Sequence, residues 1–128
     1  MAEFGKVSAE RLATCHDELQ ALMNRAIMNT PIDFCIACGH RGQEDQDKAF
    51  AQGYSKVKWP NGNHNKIPSN AVDVVPFVDG KAVWDDIDLF DKLAGHIALC
   101  AKDLNLDMVW GGTWTEFRDY PHWERKNG

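Results

Sequence analysis

His64, Asp73 and His122 are the residues of this 128-residue chain whose types suit metal-assisted chemistry. His64 falls in a polar stretch rich in Asn, Gly and Pro, and Asp73 sits inside the apolar run Ala71-Val72-Asp73-Val74-Val75. His122 belongs to Asp119-Tyr120-Pro121-His122-Trp123-Glu124. If the strand around Asp73 is buried, its carboxylate needs a cation, a metal or donor groups, because an unpaired buried charge is strongly unfavourable. An edge strand with Asp73 facing water is the alternative. Two imidazoles and one carboxylate make a three-ligand zinc set that leaves a fourth position for water, as in hydrolytic rather than structural sites. Taken one at a time, each histidine is more often a structural or surface residue than a ligand, and spacing alone leaves the set open. His16, on a helix edge, and His96, off the apolar stripe of its helix, are assigned no chemistry.

Cys35-Ile36-Ala37-Cys38 is a second candidate, since a C-x-x-C pair can bind zinc or cycle as a dithiol. In a strand, alternation sends Cys35 and Cys38 to opposite faces. No second pair is present, and Cys15 and Cys100 fall on helix stripes. The pair is therefore expected to be structural, as buried thiols.

The elements that must position these residues follow from periodicity and punctuation. Ser8 to about Met28 predicts a helix, N-capped by Ser8, with Leu12, Cys15, Leu19, Leu22, Met23 and Ala26 on one stripe. Ile32 to Ala37 predicts a strand, and Gln43 to Gln52 a short helix stopping at Gly53. Gly53 to Asn70 is a long ordered or functional loop. Ala71 to Pro76 and Lys81 to Trp84 read as strands joined at Asp79-Gly80. Asp86 to Leu104 predicts a second long helix, its stripe running from Phe90 to Leu104 and its stop at Asn105. Leu106 to Trp110 is a strand, Gly111-Gly112 breaks it, and Thr113 to Glu124 is a polar and aromatic tail. The expected fold is α+β, a small, mainly antiparallel sheet packed with two or three helices, in one domain spanning 1–128.

Composition narrows the function classes. With 44% hydrophobic and 26% charged residues the chain is expected to fold rather than stay disordered. Nineteen acidic against 14 basic residues, a formal charge of -5, and no basic stripe argue against a nucleic-acid partner. No apolar run approaches the roughly 18 residues of a membrane span. Met1 to Gly5 carries Glu3 and lacks the regions of a signal peptide, so synthesis in the cytoplasm is expected, with the cysteines as free thiols.

The same residues carry a family resemblance. His64 through Ala71-Val72-Asp73, followed by Asp119-Tyr120-Pro121-His122, resembles the VanY-like D-Ala-D-Ala carboxypeptidases and the phage L-alanyl-D-glutamate endopeptidases. These are zinc peptidases whose fold is shared with the hedgehog signalling domain. Gly39-His40-Arg41, with Gln46 five residues after the Arg, is similar to the family's G-x-R…Q substrate motif. Trp110-Gly111-Gly112-x-Trp114 and Pro121-His122-x-Glu124 are similar to the tail of the phage endolysin branch. Gly62 stands where the family's S-x-H motif has its Ser, and the His-to-Asp spacing is longer by two residues.

The resemblance implies zinc on His64, Asp73 and His122, with Asp119 as the general base that takes a proton from water and passes it to the leaving amine. Glu124 or Glu116 is next in line should the base lie elsewhere. Arg41 is implied as a catalytic and substrate-binding cation for a carboxylate or a developing oxyanion, and Gln46 as a substrate-orienting residue. Trp114 and Trp123 are expected to frame the cleft and pack the core. The implied activity is cleavage of the L-Ala–D-Glu bond in peptidoglycan stem peptides. Removal of a terminal D-Ala, or a non-catalytic metal-stabilised binding module, are the alternatives. With no separate wall-binding domain expected, the chain reads as a monomeric endolysin, released to the periplasmic wall by a separate membrane-permeabilising protein.

Overall fold

The computed structural model describes residues 2–126. Its elements run α1 (Lys6–Leu12), α2 (Asp17–Met28), β1 (Phe34–Cys38), α3 (Gln43–Ala51), β2 (Ala71–Val78), β3 (Lys81–Ala82), α4 (Ile87–Asp103), β4 (Met108–Trp110) and β5 (His122–Arg125). Short 3-10 turns cover Asn63–Asn65 and Gly111–Thr113. The strands form one antiparallel sheet in the order β1-β2-β5-β4, with β3 paired to the far end of β2. The α+β class expected from the sequence is the one observed.

Period-two alternation divides the sheet into a core face and a site face. Val72 and Val74 of β2, Phe34 and Ile36 of β1 and Trp123 of β5 are buried on the core face. Against them pack Leu19, Leu22, Met23 and Ala26 of α2 and Leu93, Ala94, Ile97 and Ala101 of α4. Asp86 caps α4 by accepting from Leu89 N at 3.1 Å, and Asn105 ends it in the left-handed region with φ 57°. His96 ties α4 to α2, its Nε2 standing 2.8 Å from the Ala26 carbonyl oxygen. Asp73 points to the opposite face, in the middle of the sheet. Its register partners are Cys38 on β1 and His122 on β5, and directly opposed residues share a face.

Several expectations need correction. Helix α1 starts at Lys6 with Gly5, not Ser8, as its N-cap, and the strand expected over Lys81 to Trp84 is only Lys81–Ala82. The first helix is two helices, because the backbone at Thr14–His16 leaves it to pair with Ser69. His16 N donates to Ser69 O, and Ser69 N to Thr14 O, both at 2.9 Å. His16 then caps α2, its Nδ1 accepting from Glu18 N at 3.1 Å. Cys35 and Cys38 do not fall on opposite faces. A register shift between Ile36 and Cys38 sets Cys35 against Val75 and Cys38 against Asp73, two positions on the same side of β2. Neither thiol is fully buried. The polar tail contains β5, which pairs with β2 and β4. Leu104, placed on the buried stripe, is a partly exposed C-cap.

The break between α1 and α2 also shapes the site. It frees the Thr14 hydroxyl to accept from His40 N at 2.8 Å. Gly39 packs so closely there that a Cβ would run into Arg11 O and Thr14 Oγ1. Gly39→Ala should therefore destabilise the fold by about 1–3 kcal/mol through overpacking. A lower urea midpoint at unchanged m-value would show it.

Candidate metal centre and cleft

Three donor atoms meet at the centre of the site face. His64 Nε2 lies 3.2 Å from Asp73 Oδ1 and 3.3 Å from His122 Nδ1. His122 Nδ1 lies 3.5 Å from Asp73 Oδ1. The three side chains come from different parts of the fold, and both histidines are buried. His64 rides on the Asn63–Asn65 turn, Asp73 on β2, and His122 at the start of β5.

Each ring has its outer nitrogen committed. His64 Nδ1 is 2.8 Å from the Gly39 carbonyl oxygen, which can only accept, so that nitrogen donates. His122 Nε2 is 2.7 Å from Glu124 Oε1 and donates to that carboxylate. In the neutral rings the inner nitrogens therefore hold lone pairs, aimed at one another and at a carboxylate oxygen. No proton separates them, so the centre calls for a cation. Four ligands at ordinary zinc bond lengths stand about 3.3–3.4 Å apart in a tetrahedron, close to the observed spacings. The donor set fits a divalent metal, with imidazoles oriented from outside in the usual manner of metal-bound histidine.

Without a metal, protons answer the same demand. Burial alone would depress the His64 imidazole, but the adjacent Asp73 charge outweighs it and pushes the group up to about 10. Burial works against ionised Asp73 as well, yet the two imidazoles hold its carboxyl well below the usual range. His122 is likewise raised against its burial, by Asp73 and Glu124. Burial and the Asp73 charge raise Asp119 to about 6. The Asp119 Oδ2 atom lies 3.8 Å from His122 Nδ1. Asp119 is fixed by its backbone, its N–H donating to Gly111 O at 3.0 Å and its carbonyl accepting from His122 N at 3.1 Å. The centre opens into a cavity of about 1230 Å³ lined by Arg41, Gln46, Trp84, Trp114, Phe117 and Asp119 among others.

A model of the phage L-alanyl-D-glutamate peptidase family matches residues 1–128. The chain belongs to that family. It is 33% identical over 126 residues to the L-alanyl-D-glutamate peptidase of Escherichia phage T5, covering 98% of this chain and 90% of the relative. It is 31% identical over 115 residues to the peptidoglycan L-alanyl-D-glutamate endopeptidase CwlK of Bacillus subtilis strain 168, covering 80% of this chain and 66% of CwlK. In fold it is similar to the crystal structure of the L-Ala D-Glu endopeptidase ChiX of Serratia marcescens. That match has a TM-score of 0.84 at 24% identity and covers 98% of this chain and 91% of the other.

In this family member, Arg41 and Gln46 belong to a chain of contacts leading out from Asp73. Arg41 Nη2 lies 3.5 Å from Asp73 Oδ2, and Arg41 Nη1 donates to Gln46 Oε1 at 3.2 Å. Gln46 is 1% exposed, and its amide is fully engaged by protein groups. Its oxygen also accepts from Asn65 at 3.0 Å. Its nitrogen donates to Ser55 Oγ at 3.0 Å and to Val57 O at 2.6 Å. Asn65 also explains Gly62. The Asn65 side-chain oxygen accepts from Gly62 N at 2.9 Å and occupies the space that a Cβ on Gly62 would enter.

Three residues named from the sequence take roles in the structure that it did not assign them. Cys38 lines the cavity, and its sulfur shares a cluster with donor atoms of His64 and Asp73, all within 4.8 Å of one another. Cys35 does not line it. The Gly39 carbonyl has no sequence signal. Glu124 does have one, since it lies two residues after His122 and so shares its face once β5 is known to be a strand. Trp114 lines the cavity, whereas Trp123 is core. Gln46→Leu should cost about 2–3 kcal/mol, because it strands the buried groups that its amide satisfies. Thermal denaturation of the metal-free protein would measure it.

Proposed function

We propose that this chain is a zinc-dependent endopeptidase that cuts the L-Ala–D-Glu bond of murein stem peptides, as a phage endolysin. The observation carrying the reading is the triangle of His64, Asp73 and His122 donors with a carboxylate, Asp119, beside it. The family match and the activities by which the T5 and CwlK relatives are named support the bond assignment. Two imidazoles and one carboxylate are a ligand set of hydrolytic zinc sites, which favours zinc among the divalent ions the set can hold.

His64, Asp73 and His122 would hold the ion, which when bound supplies Lewis acidity toward water and the scissile carbonyl. Asp119 takes the proton from the attacking water and delivers it to the departing D-Glu nitrogen. Its elevated proton affinity suits both halves of that transfer, since it is largely ionised at neutral pH yet able to hold a proton briefly. Arg41 steadies the outer oxygen of Asp73 and faces the cavity with its remaining N–H groups, where an oxyanion would develop. Gln46 acts one step back, fixing Arg41 and the Ser55–Val57 segment. The whole chain serves as one catalytic domain, monomeric, acting on the periplasmic wall. No helix among the described residues is long and apolar enough to cross a membrane.

Two measurements test this. His64→Ala and His122→Ala should each lose stoichiometric zinc and lytic activity. Asp119→Ala should keep its zinc while turnover falls by roughly a hundredfold or more. Zinc per chain and muropeptide mass spectrometry read both, and release of free D-Ala in place of D-Glu-started peptides would refute the bond assignment. The second concerns pH. The His64 imidazole of the metal-free protein holds its proton up to about pH 10, so zinc must displace that proton at neutral pH. Apparent zinc affinity should therefore rise with pH, by about tenfold per unit for each proton displaced. Calorimetry in buffers of different ionisation enthalpy would count the protons released.

A further inference from the structure

Carboxylates of several elements line the cavity beside the metal centre. Asp73, Glu116, Asp119 and Glu124 line it, whereas Arg41 and Lys56 are its fixed cations among the described residues. Arg41 is anchored by Asp73 and Gln46, and the N–H groups it keeps toward the cavity are the ones assigned above to the developing oxyanion. Lys56 has no carboxylate within 4.0 Å among the described residues.

Lys56 is nevertheless held in place. The residues on either side of it, Ser55 and Val57, are both pinned by the buried Gln46 amide. Its ammonium lies over the ring of Phe117, 5.3 Å from the centroid. Phe117 also lines the cavity and comes from the segment that carries Asp119, so the lysine reaches from one lip of the cleft to the other. The Gln46 amide that fixes Arg41 against Asp73 thus also fixes the backbone that presents the unpaired cation.

The proposed substrate supplies a matching anion. In a murein stem the D-Glu residue continues through its side-chain carboxyl, which leaves its α-carboxylate free on the carbon next to the scissile nitrogen. That carboxylate must pass the carboxylates of Glu116 and Asp119, and among the described residues Lys56 is the lining cation that no carboxylate and no assigned step already engages. We infer that Lys56 is the specificity residue that receives the free α-carboxylate of D-Glu, so that the enzyme discriminates against stems in which this group is amidated. The inference rests on the L-Ala–D-Glu assignment. A charge-assisted hydrogen bond accounts for a preference of about tenfold.

The test uses the zinc-loaded full chain and two synthetic L-Ala–γ-D-Glu–Lys peptides, one with the α-carboxylate and one with the α-carboxamide. The wild type should favour the carboxylate by about tenfold in kcat/KM, mostly through KM. Lys56→Met should bring that ratio close to one, and Lys56→Arg should restore it. A merely structural role for Lys56 would lower both substrates together and leave the ratio unchanged. Retention of the preference in Lys56→Met, or its absence from the wild type, overturns the inference while leaving the peptidase reading intact. Failure of the wild type to cleave either peptide between L-Ala and D-Glu overturns both.

Discussion

One carboxylate oxygen facing two imidazole nitrogens sets the terms for the rest of this molecule. Asp73 sits at the centre of a sheet, where an ionised side chain is stable only if positive charge stands beside it. Neither histidine can offer a hydrogen from its inner nitrogen while neutral, because its outer nitrogen is already the donor. The site is therefore preorganised for a cation by the hydrogen bonds around it, as much as by the three ligand atoms themselves.

Those outer contacts explain features of the fold that would otherwise look unrelated. The Gly39 carbonyl that orients His64 is held where α1 stops and Thr14 becomes available to His40. Glu124 orients His122 from the same strand. Arg41, Gln46 and Asn65 form a connected set joining β2, α3 and the His64 turn. The buried Gln46 uses every hydrogen-bonding position of its amide, so the loop, the arginine and the turn are adjusted to one another.

The sequence made some of this legible, for reasons that can be named. Asp73 stood out because apolar residues flanked it on both sides, and α4 because its stripe, its Asp86 cap and its Asn105 stop agree. The division of the first helix was hidden, since Ala13-Thr14-Cys15 has no Gly or Pro and the break is driven by backbone pairing with distant Ser69. The bulge that turns Cys38 toward Asp73 was hidden because Ala37 carries no mark of it. Strand β5 is short, follows Pro121 and mixes charge with aromatics, so it read as tail. Gln46 lies in a charged helix of low apolar content, and nothing local announces that it is the buried residue of that helix. Tertiary pairing, which is silent in local pattern, accounts for each of these.

His64 and Asp73 lie nine residues apart, whereas Asp73 and His122, on neighbouring strands, are separated by most of the C-terminal half. An ion held between them is therefore also a staple across the sheet. It closes a loop of about fifty residues, a constraint that weighs chiefly on the unfolded ensemble. It also ties β5 to β2 at the point where the two strands begin to pair. The same three side chains would then serve both the site and the cohesion of the sheet. Removing an ion held there would loosen β5 against β2, so the lifetime of the fold would depend on how tightly that ion is held.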